Sequence, residues 1–168
     1  MNNTLVIAAV NTHQSINLDL AKKICYAGSY DLLDLNDYRD NCPILSTKYL
    51  VNKQFPTAVK EILLKLTNYQ NIIIVTPEHN GYYSAFFKNI LDWLSRLDNQ
   101  FFFEKNIVLV VASPGAQGGA SLRQFAKITL SYTGAKTIQD FGFGAYDPDH
   151  NVDAEIKKII DYIDNLNP

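Results

Sequence analysis

The run Ile107-Val-Leu-Val-Val-Ala112 is apolar at every position. A strand with one wet face alternates apolar and polar residues. An unbroken run therefore marks a strand covered on both faces, as in the middle of a parallel sheet. Four more strand-like segments accompany it: Leu5–Val10, Asp31–Leu35, Asn71–Val75 and one within Gly134–Phe141. Helical periodicity fills the gaps. Ser15–Ala27 places Leu18, Ala21, Ile24 and Cys25 on one face, with Gly28 read as its stop. Thr57–Asn68 repeats Val59, Ile62, Leu63 and Leu66, and Ala85–Arg96 repeats Phe87, Ile90, Leu91 and Leu94. Further helices span about Ala120–Thr133 and Asp153–Asn165, the last with Ile156, Ile159, Ile160 and Ile163 inward. Residues 36–54 read as a long irregular connection. Five strand–helix units with right-handed crossovers imply α/β architecture: a three-layer α/β/α sandwich around a five-stranded parallel sheet.

Composition narrows the function classes. A chain of 168 residues with 47% apolar and 19% charged residues is read as one domain, 1–168, large enough for a real core. A net charge of −2 gives no footprint for nucleic acid or an anionic membrane. No apolar run reaches the ~18 residues of a membrane span. Met1-Asn2-Asn3-Thr4 lacks the basic start of a signal peptide, so a cytoplasmic location is expected. Cys25 and Cys42 form no metal motif and read as reduced, structural thiols. No metal ligand set is expected.

In an open parallel sheet, ligands bind beyond the carboxyl ends of the strands, near the switch in strand order. Three polar, small-residue loops are expected there. Asn11–Asn17 precedes a helix, whose free N–H groups and dipole favour an anion; Thr12, His13, Ser15 and Asn17 are its candidate contacts. Thr76–Ser84 contains Pro77, Glu78, His79, Asn80 and Gly81, a rigid and tight turn. Ser113–Gly119 contains Ser113, Gly115 and Gly118, where glycine lets another group come close to the backbone. The last is neither a Walker loop nor a Rossmann G-x-G-x-x-G.

The wording of Thr76–Arg96 is specific. Thr76, Pro77, Glu78, Asn80, Gly81, Lys88, Asn89, Ile90, Asp92, Trp93, Leu94, Ser95 and Arg96 fit the T-P-E-Y-N…K-N-x-x-D-W-L-S-R signature. The chain resembles the NADPH-dependent FMN reductase family of flavodoxin-like flavoproteins from about Val6 to Ala135. Ser113-Pro-Gly-Ala-Gln-Gly-Gly119 is similar to its S-x-G-x-x-G-G, and Phe55-Pro56 to its F-P-E-x-V. The resemblance implies sheet order 2-1-3-4-5. It implies FMN as cofactor, its phosphate on the first loop and its ring on the second and third. NADPH or NADH is the implied hydride donor, a quinone, flavin or similar small molecule the acceptor. A homodimer or homotetramer is the implied assembly, with helix Ala85–Arg96 and the aromatics Tyr82, Tyr83, Phe86 and Phe87 at or near the contact. The flavin would carry the chemistry, so no catalytic side chain is assigned and Glu78 is read as structural. Where the family writes G-S-x-R-x-x-S-x-N, this chain has Ala9, Val10 and Thr12 for Gly, Ser and Arg, keeping Ser15 and Asn17. Losing that arginine predicts weaker FMN binding than the family norm, with His13 a partial replacement. His79 stands for the usual Tyr.

Two other readings stand beside the enzyme. A flavodoxin-type electron carrier would be marked by an acidic surface, which a net charge of −2 does not indicate. A non-catalytic flavin-fold module would fit the altered first loop. A phosphatase loop C-x5-R is excluded because Asp31 and Lys48 fill the arginine slots. Residues 141–149 match no pattern.

Overall fold

The computed structural model describes residues 3–166. In chain order its elements begin with β1 (Thr4–Ala8), α1 (Ile16–Gly28), β2 (Asp31–Asp34) and a 3-10 helix (Leu35–Asn41). Next come α2 (Thr47–Val51), α3 (Thr57–Thr67), β3 (Asn71–Val75), β4 (Glu78–His79) and β5 (Tyr82–Tyr83). The chain continues through α4 (Ala85–Leu97), β6 (Asn106–Ala112), α5 (Ala120–Ser131), β7 (Thr137–Phe143) and α6 (Asp153–Leu166).

Five strands pair in parallel in the order β2-β1-β3-β6-β7. This is the expected 2-1-3-4-5. Alternation along each strand sorts the core into two layers. Leu5, Ile7, Ile72, Ile74, Ile107 and Leu109 face one way, onto Val59, Ile62, Ile90, Leu94, Leu122 and Ala126 of α3, α4 and α5. Val6, Ala8, Ile73, Val75, Val108 and Val110 face the other, onto Leu18, Ala21, Ile24, Ile156, Ile159 and Ile163 of α1 and α6. Central strands need both layers, which is why β6 carries no polar alternation.

At the amino ends of the strands the core closes on a polar ladder. Asn71 Nδ2 donates to Thr4 Oγ1 at 3.4 Å, Asn106 Nδ2 to Asn71 Oδ1 at 2.9 Å, and Thr137 Oγ1 to Asn106 Oδ1 at 3.0 Å. These four residues occupy one rung across four strands, so buried side chains satisfy one another there. The carboxyl ends are left to the loops.

Several boundaries differ from expectation for local reasons. Gly28 does not stop α1; it is the last helical residue. Ser29 takes the left-handed conformation, φ 51°, and its N–H reaches back to Cys25 and Tyr26 carbonyls. Gly28 lacks a side chain because the Tyr30 ring fills the place where a Cβ would stand. Residues 36–54 are not wholly irregular. They hold most of the 3-10 helix and α2, a five-residue helix with no buried residue and so no periodic signature. Strand β7 runs two residues past Phe141, pairing Val111–Gly142 and Ala112–Phe143. Asn80 and Gly81, at φ 54° and 80°, form the two-residue turn of the β4–β5 hairpin.

Candidate functional site

The three loops meet at the carboxyl end of the sheet, and side chains tie them together. Asn17 joins the first to the base of the third. Its Nδ2 donates to Ala112 O at 3.0 Å and its Oδ1 accepts from Ala112 N at 2.9 Å, with the residue 2% exposed. Glu78 joins the second to the third. Its Oε2 accepts from Leu122 N at 2.9 Å, one of the free N–H groups in the first turn of α5. A carboxylate is favoured there by the helix dipole.

The first loop ends on Ser15, the N-cap of α1, whose Oγ accepts from Asn17 N at 3.3 Å. Asp19 N already bonds to Ser15 O. The Ile16 and Leu18 N–H groups remain for an outside acceptor. Ser15 can cap and still donate its hydroxyl proton, because one hydroxyl both accepts and donates. Thr12 and His13 are exposed on the same loop; Thr12 Oγ1 accepts from Gln14 N at 3.3 Å. Asn17 has a structural part beside the expected one: one N–H and the oxygen of its amide are bonded to Ala112, so its side chain holds the loop.

The second loop presents its hairpin turn outward, with His79 and Asn80 exposed and Pro77 half-buried. Gly81 packs beside Ser121, whose Cβ lies 3.6 Å from where a Cβ on the glycine would stand, keeping the turn against α5. Behind it, Ser84 Oγ caps α4 by accepting from Phe87 N at 3.2 Å. Asn89 and Trp93 fold the 42–45 segment onto α4: Leu45 N donates to Asn89 Oδ1 at 2.9 Å, and Trp93 Nε1 to Pro43 O at 2.7 Å. Lys88 and Asp92 pair with each other at 2.6 Å.

The third loop leans on the segment that matched no pattern. Ser113 N donates to Phe143 O at 3.0 Å, Ala145 N to Gly115 O at 2.8 Å, and Tyr146 N to Ser113 O at 2.9 Å. A Cβ on Gly118 would lie 2.9 Å from the backbone of Gly142 and Gly144, so its bareness serves the crossing with β7. Gly115 is different: nothing lies within 4 Å of its missing side chain. Arg123 fastens the crossing, its Nε donating to Gly118 O at 2.8 Å and its Nη1 to Asp140 at 2.6 Å. Lys127 also reaches Asp140, at 2.5 Å. Tyr146 OH donates to Asp19 at 2.7 Å; burial and that carboxylate push the phenol's pKa well up.

Neither cysteine is activated. Burial, then Asp31, pushes the Cys25 thiol up to about 12, and burial raises Cys42. High-pKa thiols are poor nucleophiles at neutral pH.

A family model for NADPH-dependent FMN reductase matches residues 3–147, spanning all three loops and their tail. The chain belongs to that family. Membership makes it an NAD(P)H-dependent oxidoreductase with FMN as cofactor. An uncharacterized MG342 homolog of Mycoplasma pneumoniae is 31% identical over 135 residues, 77% of this chain and 80% of that protein. A quinone reductase of Escherichia coli K12 is 27% identical over 71% of this chain, matching 63% of its own length. The fold is shared with FerB, a flavoenzyme NAD(P)H:(acceptor) oxidoreductase from Paracoccus denitrificans, at TM-score 0.78, 18% identity and 98% coverage of both chains. It is shared also with an FMN-dependent NADH-azoreductase from Bacillus anthracis in complex with FMN. There the TM-score is 0.71, identity 17%, and coverage 100% of both chains.

Within the family's FMN pattern the chain's residues fit the group in three places. The uncommitted N–H groups of Ile16 and Leu18 suit a phosphate. The outward Asn80–Gly81 turn and the open flank of Gly115 suit a flat ring. Sequence reading gave no contact role to Asn36, Arg39, Arg123, Asp140 or Tyr146, whose bonds join segments apart in the chain.

Proposed function

We propose that this chain reduces a small-molecule acceptor of the quinone or flavin class with electrons from NADPH or NADH, through FMN held across the three loops. The observation that carries this is their convergence. Asn17–Ala112 and Glu78–Leu122 brace the loops, with His79, Asn80 and Gly115 exposed beside the start of α1. In this reading Thr12, His13, Ser15 and the first-turn N–H groups of α1 hold the phosphate. Pro77, His79, Asn80 and Gly81 border the ring on one side, Ser113 and Gly115 on another. Glu78 and Asn17 hold the loops and touch no reacting atom.

Bound FMN supplies two-electron chemistry that no side chain here provides. The protein's part is to fix the ring at a pre-set turn and leave one face open to a nicotinamide and then to the acceptor. Hydride transfer of this kind needs no protein base, and the raised thiols keep Cys25 and Cys42 out of the redox path. A cytoplasmic location accords with two free thiols. A homodimer or homotetramer is the proposed assembly.

The test is spectroscopic. Apo-protein titrated with FMN is expected to quench the flavin's fluorescence and, after dialysis, to stay yellow. Anaerobic NADPH should then bleach the flavin band, and a benzoquinone should restore it. A protein that leaves FMN fluorescence untouched at millimolar FMN overturns the reading. One that binds FMN but is not bleached by either nicotinamide is a carrier or binding module instead.

A further inference from the structure

The family's phosphate loop has an arginine where this chain has Thr12. The 3-10 helix beside that loop supplies another. In a 3-10 helix, residues three apart eclipse one another and share a face. Asn36 and Arg39 are three apart, and the face they share lies against the first loop. Asn36 Nδ2 sits 2.7 Å from His13 Nε2, and Arg39 Nη1 donates to Asn11 O at 3.4 Å. The two contacts therefore fall on either side of Thr12.

The rest of the helix holds that face in place. Asp34 accepts from Asn36 N at 2.9 Å and caps the 3-10 helix where β2 ends. Asn36 is 6% exposed, and its Oδ1 has no partner among the described residues. That oxygen is an acceptor closed off from solvent and offers a phosphate nothing; the amide's part is to hold this face of the helix on His13 through Nδ2.

Arg39 would be recruited from a surface pair: its Nε and Nη2 donate to the adjacent Asp40, each at 3.3 Å, with side chains 49% and 81% exposed. Such a surface pair contributes little and is readily exchanged. A guanidinium fork offers a phosphate two parallel donors, which the backbone N–H groups of α1 do not duplicate.

We propose that Arg39, carried on the 3-10 helix after β2, takes over the phosphate charge that the family places at position 12. Resting on the FMN reading above, this assigns to the opposite bank of the loop a contact the motif has lost. It also reverses the expectation of weak binding: Thr12 is tolerated because its neighbour compensates.

The test compares FMN with riboflavin, which has the same ring and ribityl chain but no phosphate, by fluorescence titration of apo-protein. Arg39→Gln is expected to raise the FMN dissociation constant about tenfold to a hundredfold, the effect of one charge-assisted contact. Riboflavin binding should not change. Arg39→Lys should recover part of the loss. Thr12→Arg should add little to the wild type and restore FMN affinity to Arg39→Gln. Equal losses for both ligands would mean Arg39 merely shapes the loop, and an unchanged FMN constant would mean it stays on Asp40; either overturns the inference and leaves the FMN reading intact. Wild-type protein that binds neither ligand overturns both.

Discussion

Asn17 shows how a motif residue can matter to the fold itself. Its amide pairs with both backbone groups of Ala112 inside the protein. Asn17→Ala leaves a buried N–H and a buried C=O unmet, at about 1–3 kcal/mol each where water cannot replace the partner. Stability should fall by about 2–4 kcal/mol, read as a lower urea midpoint with unchanged slope. A loss under about 0.5 kcal/mol, the usual range of surface changes, would show that water replaces the amide. The sequence marked Asn17 as polar and near a helix start, which is equally the description of a phosphate ligand. What separates the roles is which way the second residue of α1 points, and that depends on where β6 ends. Ser15 was legible as a cap because that role sits within two residues of chain. Gly118 was legible as a glycine that needs room, but not as one making room for Gly142 and Gly144.

At the scale of elements, α5 and β7 are joined through one carboxylate. Asp140, with a side chain 10% exposed, receives Arg123 and Lys127. Burial alone would raise its pKa. Hydrogen bonds and charge from Lys127 and Arg123 outweigh burial and hold it below the usual 3.8. A carboxyl depressed on folding stabilises the fold above its unfolded pKa and loses that contribution as pH falls through the folded value. Asp140→Asn should therefore cost about 2 kcal/mol at pH 7, the range for hydrogen bonds to charged groups. Urea titrations at stepped pH should show the gap to wild type closing below about pH 4. A gap that persists undiminished at pH 2 would rule out the ion pairs as its source. Because Arg123 also holds Gly118 O, the same variant should loosen the third loop. The elements themselves were legible wherever burial imposes a period, as in β1, β3, β6, α1, α3, α4 and α6; β2 and β7, only partly buried, show it weakly. The β4–β5 hairpin lacks a period because each strand has two residues, although Asn80-Gly81 is its turn signal. The 142–146 tail reads as featureless because its contacts are distant in sequence: backbone bonds to a loop some thirty residues earlier and the Tyr146 hydroxyl on Asp19.

For the whole molecule, one sheet with both faces covered predicts a single cooperative unfolding transition, as the one-domain reading requires. The assembly is a separate matter. Four aromatics in the 82–87 stretch suggested a contact surface, but their rings turn largely inward. Tyr83 and Phe87 are buried and stack edge-on, and Tyr82 lies under Phe125 with centroids 4.4 Å apart. What faces outward instead is a groove between α4 and α5, of about 150 Å³, bordered by Tyr82, Leu91, Phe101 and Thr129. Phe103, Ile128 and Tyr132 add apolar surface around the same helix, 61%, 56% and 76% exposed. Apolar surface of this kind is rarely left open on a monomer, and a twofold pairing of like faces is the commonest way to cover it. Light scattering at micromolar protein is expected to give twice the 19.0 kDa chain mass or more. Leu91→Asp combined with Tyr132→Asp should yield the chain mass with unchanged far-ultraviolet circular dichroism, since neither side chain is fully buried. A wild type that runs as a monomer would refute the assembly, and variants that remain oligomeric would move the contact away from α4 and α5.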